Sequence, residues 1–292
     1  MNSVKRALRR FVSKLNGKNK VIYFVVLFLI CVIAICIAIY GQYFYKYSDT
    51  DPLMLGIHIG AKKTTEEYAN LKAGFNDLFT NEVKVNSDTL KIDKIDTTQS
   101  AVYTYYSIEN DDENFYHVNV KIPAININND VAKNINSKIT EKFYNKANTI
   151  MRKTSGYTIY DVDYIAYVND GAISVAIREK TKIDSRAETV TITTYNYSIP
   201  DKKEIDLVDL IKLKETSIEA VQASIDSSIE IASQNSKELA ELYGSSLIRN
   251  PEDAMYKVEN AKSYFLTDDG YVYIVYAYGE KQDTNEIDIV IF

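Results

Sequence analysis

The chain has 292 residues, of which 46% are hydrophobic, and its formal net charge is −6 at pH 7. Residues 1–40 carry seven basic and no acidic side chains, whereas residues 41–292 carry 27 basic and 40 acidic ones. The acidic balance of residues 41–292 argues against a nucleic-acid partner, because binding to a phosphate backbone requires basic patches.

The first element is an unbroken apolar run at residues 21–40. Twenty helical residues span about 30 Å, which is the thickness of the hydrocarbon core of a bilayer. The basic side chains before the run predict a cytoplasmic N-terminus by the positive-inside rule. Bulky aromatic residues from Tyr40 to Tyr45 replace the small residues of a signal-peptide cleavage site, which favours an uncleaved anchor. We therefore predict a basic cytoplasmic tail at residues 1–20, a single transmembrane helix at residues 21–40, and a cell-membrane protein whose C-terminal domain lies outside the cytoplasm.

Both cysteines, Cys31 and Cys36, lie inside the apolar run. The region outside the membrane therefore has no disulfide, no catalytic thiol and no thiolate metal site. An external domain without cysteine, rich in Asn, Lys, Ile and Tyr, is typical of a bacterium with a single membrane.

Residues 41–100 are predicted to form a juxtamembrane spacer with one amphipathic helix. Thr64 and Glu67 have the spacing of a capping box at the start of that helix. Its apolar stripe consists of Tyr68, Leu71, Phe75, Leu78 and Phe79. The polar stretch 81–100 is predicted to be loop or short strand.

Residues 101–292 are predicted to form an extracytoplasmic α+β domain, with antiparallel sheets packed against two main helices. Asn128 or Asn129 is the expected N-cap of the first helix, whose apolar stripe runs from Val131 to Ile150. The second is a long helical region, 206–243, that ends at Gly244. The predicted strands are 102–108 and 115–125 around a polar connector at 109–114, then 157–168 and 172–179 around the turn 169–171, and finally 188–199, 263–267, 271–278 and 287–292.

The side chains that carry chemistry do not form a recognisable constellation. His58 lies in the spacer and His117 on the polar face of a strand, so we expect both to be surface residues. The acidic run at residues 109–113 lacks the glycine of a calcium loop, which favours a solvated hairpin tip. We identify no catalytic, cofactor-binding or metal-binding residue.

Tyrosines are abundant in two predicted strands. We interpret them as good strand residues that cover half-buried sheet surface, with a surface that stacks on sugars or contacts a protein as the alternative. The two sets are Tyr103, Tyr105 and Tyr106, and Tyr271, Tyr273, Tyr276 and Tyr278.

Several short segments between residues 100 and 292 carry a resemblance in their order and spacing. They are Val118-Asn119-Val120-Lys121-Ile122-Pro123, Val131-Ala132-Lys133-Asn134-Ile135-Asn136, Tyr195-Asn196-Tyr197, Leu207-Val208-Asp209-Leu210 and Tyr264-Phe265-Leu266-Thr267-Asp268-Asp269-Gly270. In these segments the chain resembles the extracytoplasmic domain shared by PdaC-type peptidoglycan deacetylases and the lysozyme-sensing anti-sigma-V factor. Residues 182–188 lack the Gly-Gly-Ala-His stretch of many relatives.

The resemblance implies a domain that works at the bacterial cell wall. The metal-binding Asp/His set of the deacetylases' separate catalytic domain is not found in this sequence, which favours a protein that is not an enzyme. We therefore expect a membrane-anchored binding or sensing protein whose partner is a wall-associated protein such as a muramidase, or peptidoglycan. The alternatives are an anti-sigma-factor-like transmembrane regulator and an enzyme that modifies wall glycans.

Overall fold

The computed structural model describes residues 74–86, 92–244 and 247–292. The predicted tail and transmembrane helix, His58 and the start of the amphipathic helix lie outside these residues. Within the described ranges, no helix is both long enough and apolar enough to cross a bilayer.

The centre of the fold is a seven-stranded sheet, which we call the large sheet. Its order is β2-β3-β4-β5-β6-β7, and β1 also pairs with β4. The strands are β1 Val83–Val85, β2 Val102–Asp112, β3 Tyr116–Ile125, β4 Thr158–Asn169, β5 Ala172–Ile183, β6 Thr189–Ser198 and β7 Lys203–Glu204.

The large sheet is mixed, and the purely antiparallel sheet expected from the sequence is therefore wrong. Strand β3 pairs in parallel with the first half of β4, and β1 pairs in parallel with its second half. The helix that joins β3 to β4, α1 (Asp130–Ile150), begins at the predicted cap Asn129, whose side chain accepts a hydrogen bond from the Val131 N–H. A parallel pair of consecutive strands requires such a crossover, so α1 completes a β-α-β unit.

The predicted hairpin of β2 and β3 is confirmed, but its connector is shorter than residues 109–114, because β2 continues to Asp112 and only residues 113–115 turn. Asp111 pairs with His117 and Asp112 with Tyr116. Since β2 is an edge strand with one side in solvent, its acidic side chains remain hydrated without ending the strand. The turn Asp170-Gly171 between β4 and β5 is where the sequence places it, with both residues in the left-handed region.

The C-terminal half adds a three-stranded small sheet and two helices. The small sheet has the order β10-β9-β8, with β8 Tyr264–Leu266, β9 Val272–Ala277 and β10 Ile287–Ile291. The single helix predicted over 206–243 is two helices, α2 (Leu207–Leu213) and α3 (Ile218–Tyr243). The break follows from Glu215, which has a φ of 52°, and from Ser217, which caps α3 through the Ala220 N–H. The predicted stop at Gly244 is confirmed, since its φ of 77° ends α3.

The large sheet separates two hydrophobic cores. On one face, Ile173, Val175 and Ile177 of β5 are buried with the apolar stripe of α1. On the other face, Ala172 is buried with residues of α2, α3 and the small sheet. Side chains that alternate along a strand point to opposite faces of the sheet and so contribute to both cores. The described part of the domain therefore has three layers: α1, the large sheet, and the small sheet with α2 and α3.

Strand β8 is held against the large sheet by side chains, an arrangement we call the β8 clamp. The Tyr264 N–H donates to Thr194 Oγ1 at 3.0 Å, and its carbonyl accepts from Asn196 Nδ2 at 2.9 Å. The Leu266 N–H donates to Ser174 Oγ at 3.0 Å, and the Thr267 carbonyl accepts from Asn169 Nδ2 at 2.9 Å. Polar side chains of β4, β5 and β6 therefore satisfy the backbone edge that a neighbouring strand would otherwise satisfy.

The segment before β1 is attached to the same face. Arg178 forms a bidentate pair with Asp163 at 2.9 and 2.5 Å and donates to the Asn76 carbonyl at 3.0 Å. The centre of the Phe79 ring lies 4.5 Å from the Arg178 guanidinium carbon, and Phe75 is only 1% exposed. The end of the predicted amphipathic helix is thus part of the folded domain, and the apolar character of Phe75 and Phe79 is explained by their burial.

We expect Asn196→Ala to reveal the contribution of the β8 clamp. The change removes the acceptor of the Ser174 hydroxyl and the donor to the Tyr264 carbonyl. Leaving two buried polar groups unpaired is expected to lower the free energy of unfolding by about 2–4 kcal/mol. Urea unfolding followed by circular dichroism measures this free energy. Asn119→Ala is the matched control. Asn119 is an exposed asparagine on β3, so its variant should stay within about 0.5 kcal/mol of the parent. Equal effects of the two changes would contradict the role of the clamp.

Candidate functional site

Strand β6 has an open edge. Its pairing with β5 covers residues 189–198, but β7 pairs only with Tyr197 and Ser198. The chain leaves the edge early because Asp206 and Asp209 form a capping box that starts α2 directly after Ile205. Residues 190–196 of this edge are therefore without a strand partner among the described residues.

The two ends of the open edge are fixed by other contacts. At one end the Val190 N–H donates to the Thr284 carbonyl at 3.1 Å, and at the other the Ile205 N–H donates to the Asn196 carbonyl at 3.0 Å. Between them, Ser263 Oγ donates to the Ile192 carbonyl at 2.6 Å. These contacts show that the edge is held in an extended conformation along its length.

A groove follows this edge, and we call it the β6 groove. Its larger part has a volume of about 420 Å³ and lies between β6, β9 and the loop that precedes β8. A smaller part of about 270 Å³ continues past Thr191 to Gly279. The edge of β6 contributes Thr191, Ile192, Thr193 and Thr194, and the facing wall includes Val275, Tyr276 and Ala277.

Lysines reach the β6 groove from both faces of the large sheet. Lys142 and Lys146 come from α1 on one face, and Lys262 and Lys281 come from the loops on the other. Lys146 pairs with Glu179, and Lys281 lies 3.3 Å from Asp253. Lys142 donates only to the Thr193 hydroxyl at 2.8 Å, and neither it nor Lys262 has a carboxylate partner among the described residues. Glu179 and Glu280 are the only acidic residues of its described lining, so the groove has an excess of positive charge inside an acidic domain.

The polar groups of the β6 groove are mainly donors of hydrogen bonds. Its described lining offers ammonium groups, Thr and Ser hydroxyls and outward backbone groups, but no histidine or cysteine. Ammonium and hydroxyl donors bind carboxylates and other anions.

The tyrosines of β9 are not available for stacking. Tyr271, Tyr273, Tyr276 and Tyr278 are between 3% and 7% exposed. Burial thus supports the interpretation of these tyrosines as sheet-covering residues. On β2, Tyr105 is 53% exposed because it sits at the register shift between Thr104 and Tyr106, whereas Tyr106 packs on Tyr144.

His117 lies on the polar face of β3, as the sequence predicts. Its Nδ1 is 2.6 Å from Asp111 Oδ1, and its Nε2 is 3.6 Å from Asp161 Oδ1. Desolvation raises the pKa of Asp161, while the charge of His117 opposes that shift. Within the described residues, no group of three or more His, Cys, Asp or Glu side chains is arranged to hold a metal ion.

The most buried charges lie elsewhere and serve the fold. Arg249 Nε donates to Asp288 Oδ2 at 2.8 Å, and the Tyr278 hydroxyl donates to the same oxygen at 2.5 Å. Desolvation lowers the pKa of Arg249, but the hydrogen bond and charge of Asp288 outweigh it and raise the pKa above its ordinary value. The network ties the segment after α3 to β9 and β10. The sequence pattern of β10 does not predict this network, because Asp288 is a single acidic residue within an apolar strand.

Comparisons with known proteins include a likeness to a solved structure. No protein-family model matches the chain, and no curated protein sequence matches it. The crystal structure of a DUF3298-family protein from Pseudomonas aeruginosa PAO1 is similar in structure, with 10% sequence identity and a TM-score of 0.34. The likeness covers 70% of this chain and 90% of that chain. At that TM-score it carries no inference about activity or ligand.

Gly279 closes one end of the β6 groove, and we expect Gly279→Ala to disturb it. An added Cβ would lie 2.5 Å from the Val190 carbonyl oxygen, so β6 and the β9–β10 connection would have to separate. The expected loss in the free energy of unfolding is about 1–3 kcal/mol. Hydrogen exchange at the Val190 amide should accelerate, since its bond to Thr284 spans the same contact.

Gly74→Ala is the matched control. An added Cβ there meets no atom within 4 Å, and the residue is helical. Its stability should be unchanged or higher by about 0.4–1 kcal/mol. A Gly279→Ala protein as stable as this control would contradict the close packing at Val190.

Proposed function

We propose that this chain is a membrane-anchored, non-catalytic protein whose external domain binds an anionic ligand of the bacterial cell wall in the β6 groove. The observation that carries the proposal is a groove with four lysines and an open strand edge, in a domain whose remaining charge is acidic. Such a groove concentrates anions locally, because the rest of the surface repels them.

Two features of the sequence support a location at the membrane and the cell wall. The apolar run at residues 21–40 and the basic residues before it predict the anchor and its orientation. The resemblance to the domain shared by PdaC-type deacetylases and the anti-sigma-V factor suggests the cell wall as the place of action. Peptidoglycan suits the groove better than a basic muramidase, since its stem peptides carry carboxylates and a basic protein would meet like charge.

A transmembrane regulator is the second candidate function. It is favoured by the attachment of residues 74–86, which lie within the predicted spacer, to the large sheet that also contains the groove. Strand β1 pairs with β4, and β6 is two strands further along the same sheet. A ligand at β6 and the membrane-proximal segment therefore act on one hydrogen-bonded unit.

Binding of the full-length protein, reconstituted in nanodiscs, to purified peptidoglycan sacculi tests the proposal. We expect saturable binding that weakens between 0.1 and 1 M salt, because the Debye length falls from about 10 Å to about 3 Å. The double variant Lys142→Gln/Lys262→Gln should bind about fivefold more weakly, since each exposed ion pair contributes about 0.2–1 kcal/mol.

Lys133→Gln/Lys237→Gln is the control, because both lysines are exposed and lie outside the groove lining. It removes the same charge and should bind like the parent. The proposal would have to be abandoned if sacculi do not bind, or if a basic muramidase binds and both double variants respond equally.

A further inference from the structure

We propose that the ligand of the β6 groove is an extended acidic polypeptide segment, which adds to the open edge of β6 as a further strand. This inference rests on the proposed function and specifies the part of the wall ligand that enters the groove, which is a carboxylate-bearing peptide and not the glycan.

The backbone of β6 presents groups that a strand can pair with. In an antiparallel ladder, alternate residues direct their N–H and C=O groups to opposite sides. Val190 and Asn196 bond outward, to Thr284 and Ile205 respectively, so the even-numbered residues of β6 face away from β5. The outward N–H groups of Ile192 and Thr194 and the Thr194 carbonyl therefore line the groove. They form a short row of donors and an acceptor of the kind that strand addition uses.

The open edge sets the length of the added segment. Thr284 and Ser263 occupy the Val190 N–H and the Ile192 carbonyl, so the free outward groups run from the Ile192 N–H to the Thr194 carbonyl. At about 3.3 Å per residue these three residues span about 10 Å, which allows three or four paired residues of an extended chain. Beyond these limits the edge is covered by Thr284 at one end and by Ile205 at the other. A folded sheet edge would meet the walls formed by β9 and the loop before β8, whereas a single extended segment fits between them.

The lysines determine the charge of the added segment. Side chains of an added strand would project alternately toward α1 and toward the small sheet. Lys142 stands on the first side and Lys262 on the second, and each is without a carboxylate partner among the described residues. Acidic residues at consecutive positions of the segment would therefore each meet an ammonium group, which favours an acidic segment over a neutral or basic one.

The test uses capped eight-residue peptides and the full-length protein in nanodiscs. The probe is Thr-Glu-Glu-Val-Thr-Glu-Glu-Val, and its neutral counterpart has Gln in place of Glu. Isothermal titration calorimetry should show binding of the acidic probe that is about fivefold weaker for Lys142→Gln/Lys262→Gln and unchanged for Lys133→Gln/Lys237→Gln. Hydrogen exchange should slow in the segment 189–196 when the probe is bound.

Backbone methylation of the probe distinguishes strand addition from simple anion binding. Two methylated probes are compared. In the first, N-methyl groups replace the hydrogens of the N–H groups that face β6; in the second, they replace those of the N–H groups that face away from β6. The probe whose N–H groups facing β6 are methylated should therefore bind about fivefold more weakly, which corresponds to the loss of the one backbone hydrogen bond to the Thr194 carbonyl. The other should bind like the unmodified probe.

Three results would overturn the inference. The first is binding that depends on the lysines but is equal for both methylated probes, which would leave an anion site without strand addition. The second is release of the probe as the protein concentration rises, which would assign the edge to a second copy of the chain. The third is no binding of the acidic probe while sacculi still bind; failure of both would remove the proposed function as well.

Discussion

The arrangement of the two sheets depends on the β8 clamp. Strand β8 has only three residues, and one of its edges has no strand neighbour among the described residues. Four polar side chains of the large sheet replace that neighbour, and Phe265 stacks between Tyr167 and Tyr273 beside them. Because a buried backbone group without a partner costs about 1–3 kcal/mol, these side chains decide where the small sheet can lie.

The β6 groove is a consequence of the same constraint. Thr194 and Asn196 use their side chains to hold β8, which places β9 opposite the edge of β6 without pairing to it. The capping box at Asp206 starts α2, so the chain after β7 turns away and does not continue along the edge of β6. An edge that is neither paired nor covered is unusual, since proteins commonly protect such edges with charge or a covering element. Here the lysines supply the charge, and their sign determines which ligands the edge attracts.

The sequence predicted the local elements better than their arrangement. Apolar alternation in β3 and the stripe of α1 fixed which residues are buried, because those patterns depend only on the residues themselves. The parallel pairing of β1 and β3 with β4 was missed, since pairing direction is set by tertiary packing. Two of the segments that resemble the deacetylase and anti-sigma-V domain, Tyr195-Asn196-Tyr197 and Tyr264–Gly270, have no structural role that the sequence alone predicts. The structure shows that they contact each other through Asn196 and Tyr264, whereas the groove has no motif because its lysines lie far apart in sequence.

The position of residues 74–86 affects how the chain can fold during synthesis. Val83 pairs with Ala166, and Phe75 contacts Phe265, so their partners are made 83 and 190 residues later. At about 5–20 residues per second, β1 waits about 4–17 s for β4, and Phe75 waits longer still. Contacts of such long sequence separation form slowly because the intervening loop must close first. Among the described residues, the segment nearest the predicted anchor is therefore made early but completed late, and its apolar side chains remain accessible to chaperones until the small sheet has emerged.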